Sequence, residues 1–210
     1  MHNLHGLYVI TDPILCGKDL INKVEQAILG GAQIIQYRNK MNNITPYQQL
    51  SEAKALQSLC TQHGRTFIIN DDIALALQSN ADGIHLGQTD ADISSARECL
   101  GDKKIIGLTC HNNLTAARKA QLQSADYVAF GRFYPSQTKP TAPPADIEVL
   151  QQAKSQLQIP IVAIGGVSVE NAPTLLNAGA DMLAVIHAVF AQDNIQQAAA
   201  EFKQLFKATL

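Results

Sequence analysis

Asp71 in "IINDD" and Asp90 in "GQTD" are carboxylates suited to a hard divalent cation. Magnesium takes one or two carboxylates, keeps several waters and leaves positions for phosphate oxygens. Arg38 and Lys40 in "QYRNK" and Lys139 in "PSQTK" add positive charge, and a guanidinium can grip a phosphate through two parallel bonds. Gly165-Gly166 lets backbone amides approach an anion closely. Together these residues describe two anion sites, one metal-assisted and one lined by glycine. Each also has a plainer reading. Asp71 or Asp72 can cap the helix that continues "IALALQS", and Asp90 or Asp92 the one that continues "ISSARECL". Arg38 and Lys40 alone read as solvated charges, Gly165-Gly166 alone as a turn, and His85 as a satisfied core or rim histidine. The functional reading requires a framework that brings them to one place.

Such a framework is written along the chain. Short apolar runs, "LYVIT", "QIIQY", "TFIIN", "GIHL", "KIIGLT", "YVAFG", "IPIVAIG" and "MLAVI", alternate with segments of helical periodicity such as "TPYQQLSEAKALQSLCTQHG" and "NNLTAARKAQLQS". Near-continuous apolar strands separated by helices indicate parallel strands covered by helices. "GGAQIIQY", "NADGIHLG", "SADYVAFG" and "AGADMLAVI" echo one another, with Ala32, Ala81, Ala125 and Ala180 recurring at intervals of about fifty residues. Each interval fits two βα units, so the expectation is one domain over residues 1–210 folded as a (β/α)8 TIM barrel. An open doubly wound sheet is the alternative, weakened by the lack of G-x-G-x-x-G after the first strand.

Barrel active sites lie where strands end. Strand 2 runs into Gln36, Arg38 and Lys40, strand 3 ends at Asn70 and Asp71, and strand 4 gives way to Asp90. Strand 5 ends at Thr109, followed by Cys110, His111 and Asn112. Strand 6 leads into "GRFYPSQTKPTAPPA", whose prolines exclude helix and central strand. Ser136, Thr138 and Lys139 lie in that loop, Gly165-Gly166 follows strand 7, and Ile186-His187 follows strand 8. The loops entering the strands are blander.

Composition removes several function classes. A formal charge of −2 over 210 residues, without blocks of like charge, points to neither nucleic acid nor an anionic membrane. The apolar runs are too short to span a bilayer, and "MHNLHGLYVITD" lacks the pattern of a secretion signal. Cys16, Cys60, Cys99 and Cys110 form no C-x-x-C pair and read as buried reduced thiols. A cytoplasmic protein is expected. Its oligomeric state is open, with room for a homo-oligomer.

The order and spacing of "GGAQIIQYRNK", "IINDD", "ADGIHLGQTD", "ADYVAFGRFYPSQTK" and "VAIGGV" resemble the thiamine-phosphate synthase family over nearly the whole chain. The resemblance implies joining a hydroxymethylpyrimidine diphosphate to a thiazole phosphate, with release of pyrophosphate. It implies that Gln36, Arg38, Lys40 and Asn70 meet the pyrimidine diphosphate and that Asp71 and Asp90 bind Mg2+. Ser136 and Thr138 would receive the thiazole phosphate, Lys139 would reach the diphosphate, and Gly166, Ile186 and His187 would close the thiazole-phosphate pocket. Thr109 stands where the family usually has serine, and would bond the diphosphate or orient the pyrimidine; His187 also replaces a serine. Arg38, Lys139 and Thr109 are thus the expected catalytic residues. A related barrel that rearranges a thiazole carboxylate phosphate would need the phosphate pocket and an acid/base group, for which His111 is the candidate. It would need neither the acidic pair nor the diphosphate cations. A catalytically silent binder of thiamine precursors is the rival from another class.

Overall fold

The apolar runs form strands and the segments of helical periodicity between them form helices. In the computed structural model, which describes residues 4–88, 92–138 and 141–208, the strands are β1 (Gly6–Ile10), β2 (Ile34–Tyr37), β3 (Thr66–Asn70), β4 (Gly83–Leu86), β5 (Ile105–His111), β6 (Tyr127–Phe130), β7 (Ile161–Ile164) and β8 (Met182–Val185). The helices are α1 (Pro13–Cys16), α2 (Leu20–Gly30), α3 (Pro46–Gln62), α4 (Ile73–Gln78), α5 (Ile93–Leu100), α6 (Leu114–Leu122), α7 (Glu148–Gln156), α8 (Ala172–Asn177), α9 (His187–Phe190) and α10 (Ile195–Ala208). Caps start several of them. Asp12, Thr45, Asp72, Asp92 and Asn113 each accept a backbone N–H from the first turn of α1, α3, α4, α5 and α6, each contributing roughly 1 kcal/mol.

All neighbouring strands are parallel, and β1 pairs with β8 as well as β2, so the sheet closes into a barrel. Closure excludes the open doubly wound sheet and establishes the single-domain (β/α)8 architecture. The apolar runs are continuous because both faces of each strand are covered. Tyr8, Ile34, Ile68, Ile105, Tyr127, Val162 and Met182 fill the interior, whereas Leu7, Val9, Ile35, Phe67, Ile84 and Val128 pack outward among the helices. Gly107 makes room for one of these fillers, since a Cβ there would lie 2.0 Å from the Tyr127 ring.

Three of the four echoed segments share a structural cause at the barrel end opposite the strand C-termini. Asp82, Asp126 and Asp181, entering β4, β6 and β8, each turn a carboxylate oxygen back to accept the amide of Phe67, Ile106 or Ile161 at 2.8–2.9 Å. Arg97 and Lys154 neutralise Asp126 and Asp181. These aspartates latch neighbouring strands together and take no part in the upper rim.

Two expectations are corrected. Strand β5 continues through Cys110 to His111 instead of ending at Thr109, with a register irregularity against β6 between Thr109 and His111. Its last residue is polar, so hydrophobic patterning stops before the ladder does. All four thiols are free and Cys16, Cys60 and Cys110 are buried, but Cys99 on α5 is exposed. No helix among the described residues is long and apolar enough to cross a membrane.

Candidate active site

The strand C-termini open into a cavity of about 750 Å³. Its lining joins residues far apart in sequence: Gln36, Arg38 and Lys40 after β2, Asn70 and Asp71 at β3, Thr109 and His111 on β5, Ser136 and Thr138 after β6, Gly165 and Gly166 after β7, and Ile186 and His187 after β8. Asp90 and Lys139 lie outside the described residues.

The β2–β3 side carries charge. Thr11, leaving β1, fixes the start of the β2 loop: its hydroxyl accepts the Arg38 amide at 2.9 Å and donates to the Arg38 carbonyl at 3.2 Å. The two capping alternatives then separate. Asp72 caps α4 by accepting the Leu75 amide at 2.8 Å. Asp71 adopts a left-handed conformation, φ 63°, and its Oδ2 accepts Lys40 Nζ and Asn70 Nδ2, each at 2.6 Å. The carboxylate of Asp71 therefore faces the cavity. Likewise Asp92 is the residue that caps α5, and its hydrogen bonds from Ser95 hold its carboxyl below the usual range.

The β6–β8 side carries hydroxyls, glycines and an imidazole. The loop after β6 is laid across the end of β7: the Phe133 and Tyr134 amides donate to the carbonyls of Ile164 and Gly165. It is also tied to itself, with Arg132 Nε donating to the Ala142 carbonyl at 2.9 Å. At its far end Asn112 and Asp146 exchange two hydrogen bonds. Gly166 has φ 64°, and a Cβ there would meet the Pro135 carbonyl oxygen at 2.4 Å. This glycine is required by the backbone it supports. Thr138 Oγ1 lies 3.4 Å from His187 Nδ1, pairing the β6 loop with the first residue of α9.

Beneath the mouth, Gln36, Tyr8, Tyr127, His85 and Thr109 are joined by consecutive hydrogen bonds. His85 is therefore a satisfied histidine, as its place in an apolar strand suggested. Burial pushes both phenol groups well above their ordinary pKa, so they stay protonated. Burial also pushes Cys110 up to about 12, leaving no thiolate nucleophile there.

Sequence reasoning missed Tyr8, Gln88 and Arg132, which also line the cavity. Gln88 donates to the Thr109 carbonyl; the motif "GQTD" was the available signal. Arg132 follows β6 directly and was hidden within a loop read for its hydroxyls and lysine.

For magnesium, the donor set fits. Asp71 offers a hard carboxylate oxygen not spent on a helix cap, beside the amide of Asn70. Magnesium takes few protein ligands, keeping waters and substrate oxygens for the rest of its shell.

The family model described as thiamine monophosphate synthase matches residues 7–189. A thiamine-phosphate synthase from Alcanivorax borkumensis is 50% identical over 99% of this chain and 96% of its own length. One from Saccharophagus degradans is 48% identical over 93% of this chain and 90% of its own. Among solved structures, a thiamine phosphate pyrophosphorylase from Pyrococcus furiosus superposes with a TM-score of 0.89 at 32% identity, covering 100% of this chain and 98% of that one. With the barrel closed around these residues, the chain belongs to the thiamine monophosphate synthase family.

Proposed function

We infer that this chain condenses 4-amino-2-methyl-5-hydroxymethylpyrimidine diphosphate with 4-methyl-5-(2-phosphoethyl)thiazole, giving thiamine phosphate and pyrophosphate. The observation that carries the site assignment is the division of one cavity. Arg38, Lys40, Asn70 and Asp71 sit on the β2–β3 arc, and Ser136, Thr138, Gly165, Gly166 and His187 on the facing β6–β8 arc. A pocket of about 750 Å³ suits two small phosphorylated molecules side by side.

The reaction breaks the carbon–oxygen bond to the diphosphate, whose oxygen keeps the electron pair. The thiazole nitrogen then donates its lone pair to the pyrimidine methylene carbon, so no serine or cysteine nucleophile is required. Arg38, whose guanidinium has no hydrogen-bond or ion-pair partner among the described residues, is available to the departing diphosphate. Lys40 and Lys139 add charge there, and preorganised charge of this kind is commonly the largest catalytic contribution. Asp71 and Asp90 would hold Mg2+, which when bound would supply further neutralisation of the diphosphate charge. Gln36 and Asn70 contact the pyrimidine substrate and Thr109 bonds it from β5. Ser136, Thr138, Gly166, Ile186 and His187 hold the thiazole phosphate, and the proximity they enforce lets the ring nitrogen outcompete water. The same reading places the enzyme in the cytoplasm.

The deciding experiment is product formation from the two purified substrates, with magnesium and with a chelator. Metal-dependent thiamine phosphate is expected. Binding of both substrates without product would leave a silent binder in its place.

A further inference from the structure

We propose that Tyr8, Tyr127 and His85 form a one-directional hydrogen-bond relay that fixes Thr109 as a donor into the cavity. They are positioning residues acting through Thr109. The inference rests on the preceding reading, in which Thr109 contacts the pyrimidine diphosphate.

The direction follows from what each group can do. Gln36 presents Nε2, a donor only, to the Tyr8 hydroxyl at 2.7 Å. Tyr8 must therefore send its own proton to the Tyr127 oxygen, 2.9 Å away. Tyr127 in turn sends its proton to His85 Nδ1 at 2.9 Å, so that nitrogen is an acceptor. A neutral imidazole that accepts at Nδ1 carries its proton on Nε2, which lies 2.8 Å from Thr109 Oγ1. With that oxygen accepting from His85, the Thr109 hydroxyl proton is left to point into the cavity that Thr109 lines.

Packing holds the chain in register. The His85 and Tyr127 rings stack with centroids 5.5 Å apart and planes inclined by 21°. Tyr8 meets Tyr127 edge-on at 6.1 Å. Gly107 leaves the space that the Tyr127 ring fills. The relay crosses five strands, β2, β1, β6, β4 and β5, which only a closed barrel brings together. Its chemical consequence is selectivity for an acceptor, a phosphate oxygen or ring nitrogen of the pyrimidine substrate, at the Thr109 position.

The test is nitrogen–proton correlation NMR of the histidine rings in the full chain without substrate, with the His85 signals assigned by their loss in His85→Asn. The native chain is expected to show His85 as the pure neutral Nε2–H tautomer. Tyr8→Phe retains the Tyr127 hydroxyl but not the donor that directs it, so any loss of the Nε2–H form there should be smaller than in Tyr127→Phe. Tyr127→Phe removes the hydroxyl that donates to Nδ1, so both tautomers should appear, and turnover should fall roughly tenfold with KM for the thiazole phosphate unchanged. Any form of His85 other than Nε2–H in the native chain overturns the relay. Turnover in Tyr127→Phe equal to that of the native chain overturns its role. The tautomer is read without substrate, so a failed synthase reading would appear separately, as absent product with the relay intact.

Discussion

Lys40 Nζ lies 2.6 Å from Asp71 Oδ2, although the two residues leave different strands. Lys40 is half exposed, and a pair of this kind contributes on the order of 0–1 kcal/mol. It is weak enough to be exchanged when a cation and a diphosphate arrive. In the function proposed above, Lys40 would compete with metal for Asp71 while attracting the diphosphate.

Opposite effects on metal and substrate are expected from Lys40→Ala. The magnesium concentration giving half-maximal activity should fall, because the competing ammonium is gone. KM for the pyrimidine diphosphate should rise roughly tenfold, for loss of one charged contact. Steady-state titrations of each component measure both. A parallel rise in the two constants would refute the competition.

Asp71 and its neighbour Asp72 should behave as different kinds of residue. Asp71→Ala should raise the magnesium requirement by at least ~10-fold, for loss of a carboxylate ligand. Asp72→Ala should instead cost about 1 kcal/mol of stability through the lost cap on α4, with an unchanged magnesium requirement. Thermal unfolding and metal titration of both variants separate the roles; an unchanged metal requirement in Asp71→Ala would remove it from the metal site.

This pair also marks the limit of what the sequence makes legible. "TFIIN" and "GIHL" coincide with β3 and β4 to the residue, because strands buried on both faces must be apolar throughout. The rim was legible because polar residues can only begin where that burial ends. Asp71 and Asp72 look alike in sequence, and the left-handed turn at Asp71 is what separates them. Tyr8 and Tyr127 pass for ordinary core aromatics until barrel closure brings their hydroxyls together. Arg132 gains its place only when the loop folds back so that Ala142 can accept its Nε–H.

Lys139→Ala tests the role assigned to the proline-rich loop. Turnover should fall by at least ~100-fold, as expected for loss of a charge contact made as the diphosphate departs. KM for the thiazole phosphate should change little. Near-normal turnover in the folded variant would take Lys139 out of the mechanism.

Gly166→Ala should act on the thiazole phosphate selectively. The added Cβ would sit at φ 64° and 2.4 Å from the Pro135 carbonyl oxygen, with the Tyr134 side chain at 2.7 Å. The loop bearing Ser136 and Thr138 must therefore shift away from β7. KM for the thiazole phosphate should rise several-fold while the magnesium requirement stays constant. Equal losses for both substrates would indicate general unfolding of the mouth.

The buried thiols give stability a defined dependence on alkaline pH. Burial raises Cys16 to about 11 and Cys60 and Cys110 to about 12, from 9.0. Above the ordinary thiol value the unfolded chain loses protons that the folded chain keeps, so stability falls as pH rises. These thiols impose no penalty below about pH 8, and their penalty grows steadily as pH climbs from 9 toward the folded values. Melting temperatures should therefore be level between roughly pH 7 and 8 and decline above that range. The triple variant Cys16→Ala/Cys60→Ala/Cys110→Ala should have a lower Tm at neutral pH and a shallower alkaline decline. An unchanged alkaline slope in that variant would assign the decline to the buried tyrosines, Tyr8 and Tyr127, whose phenols are also raised by burial.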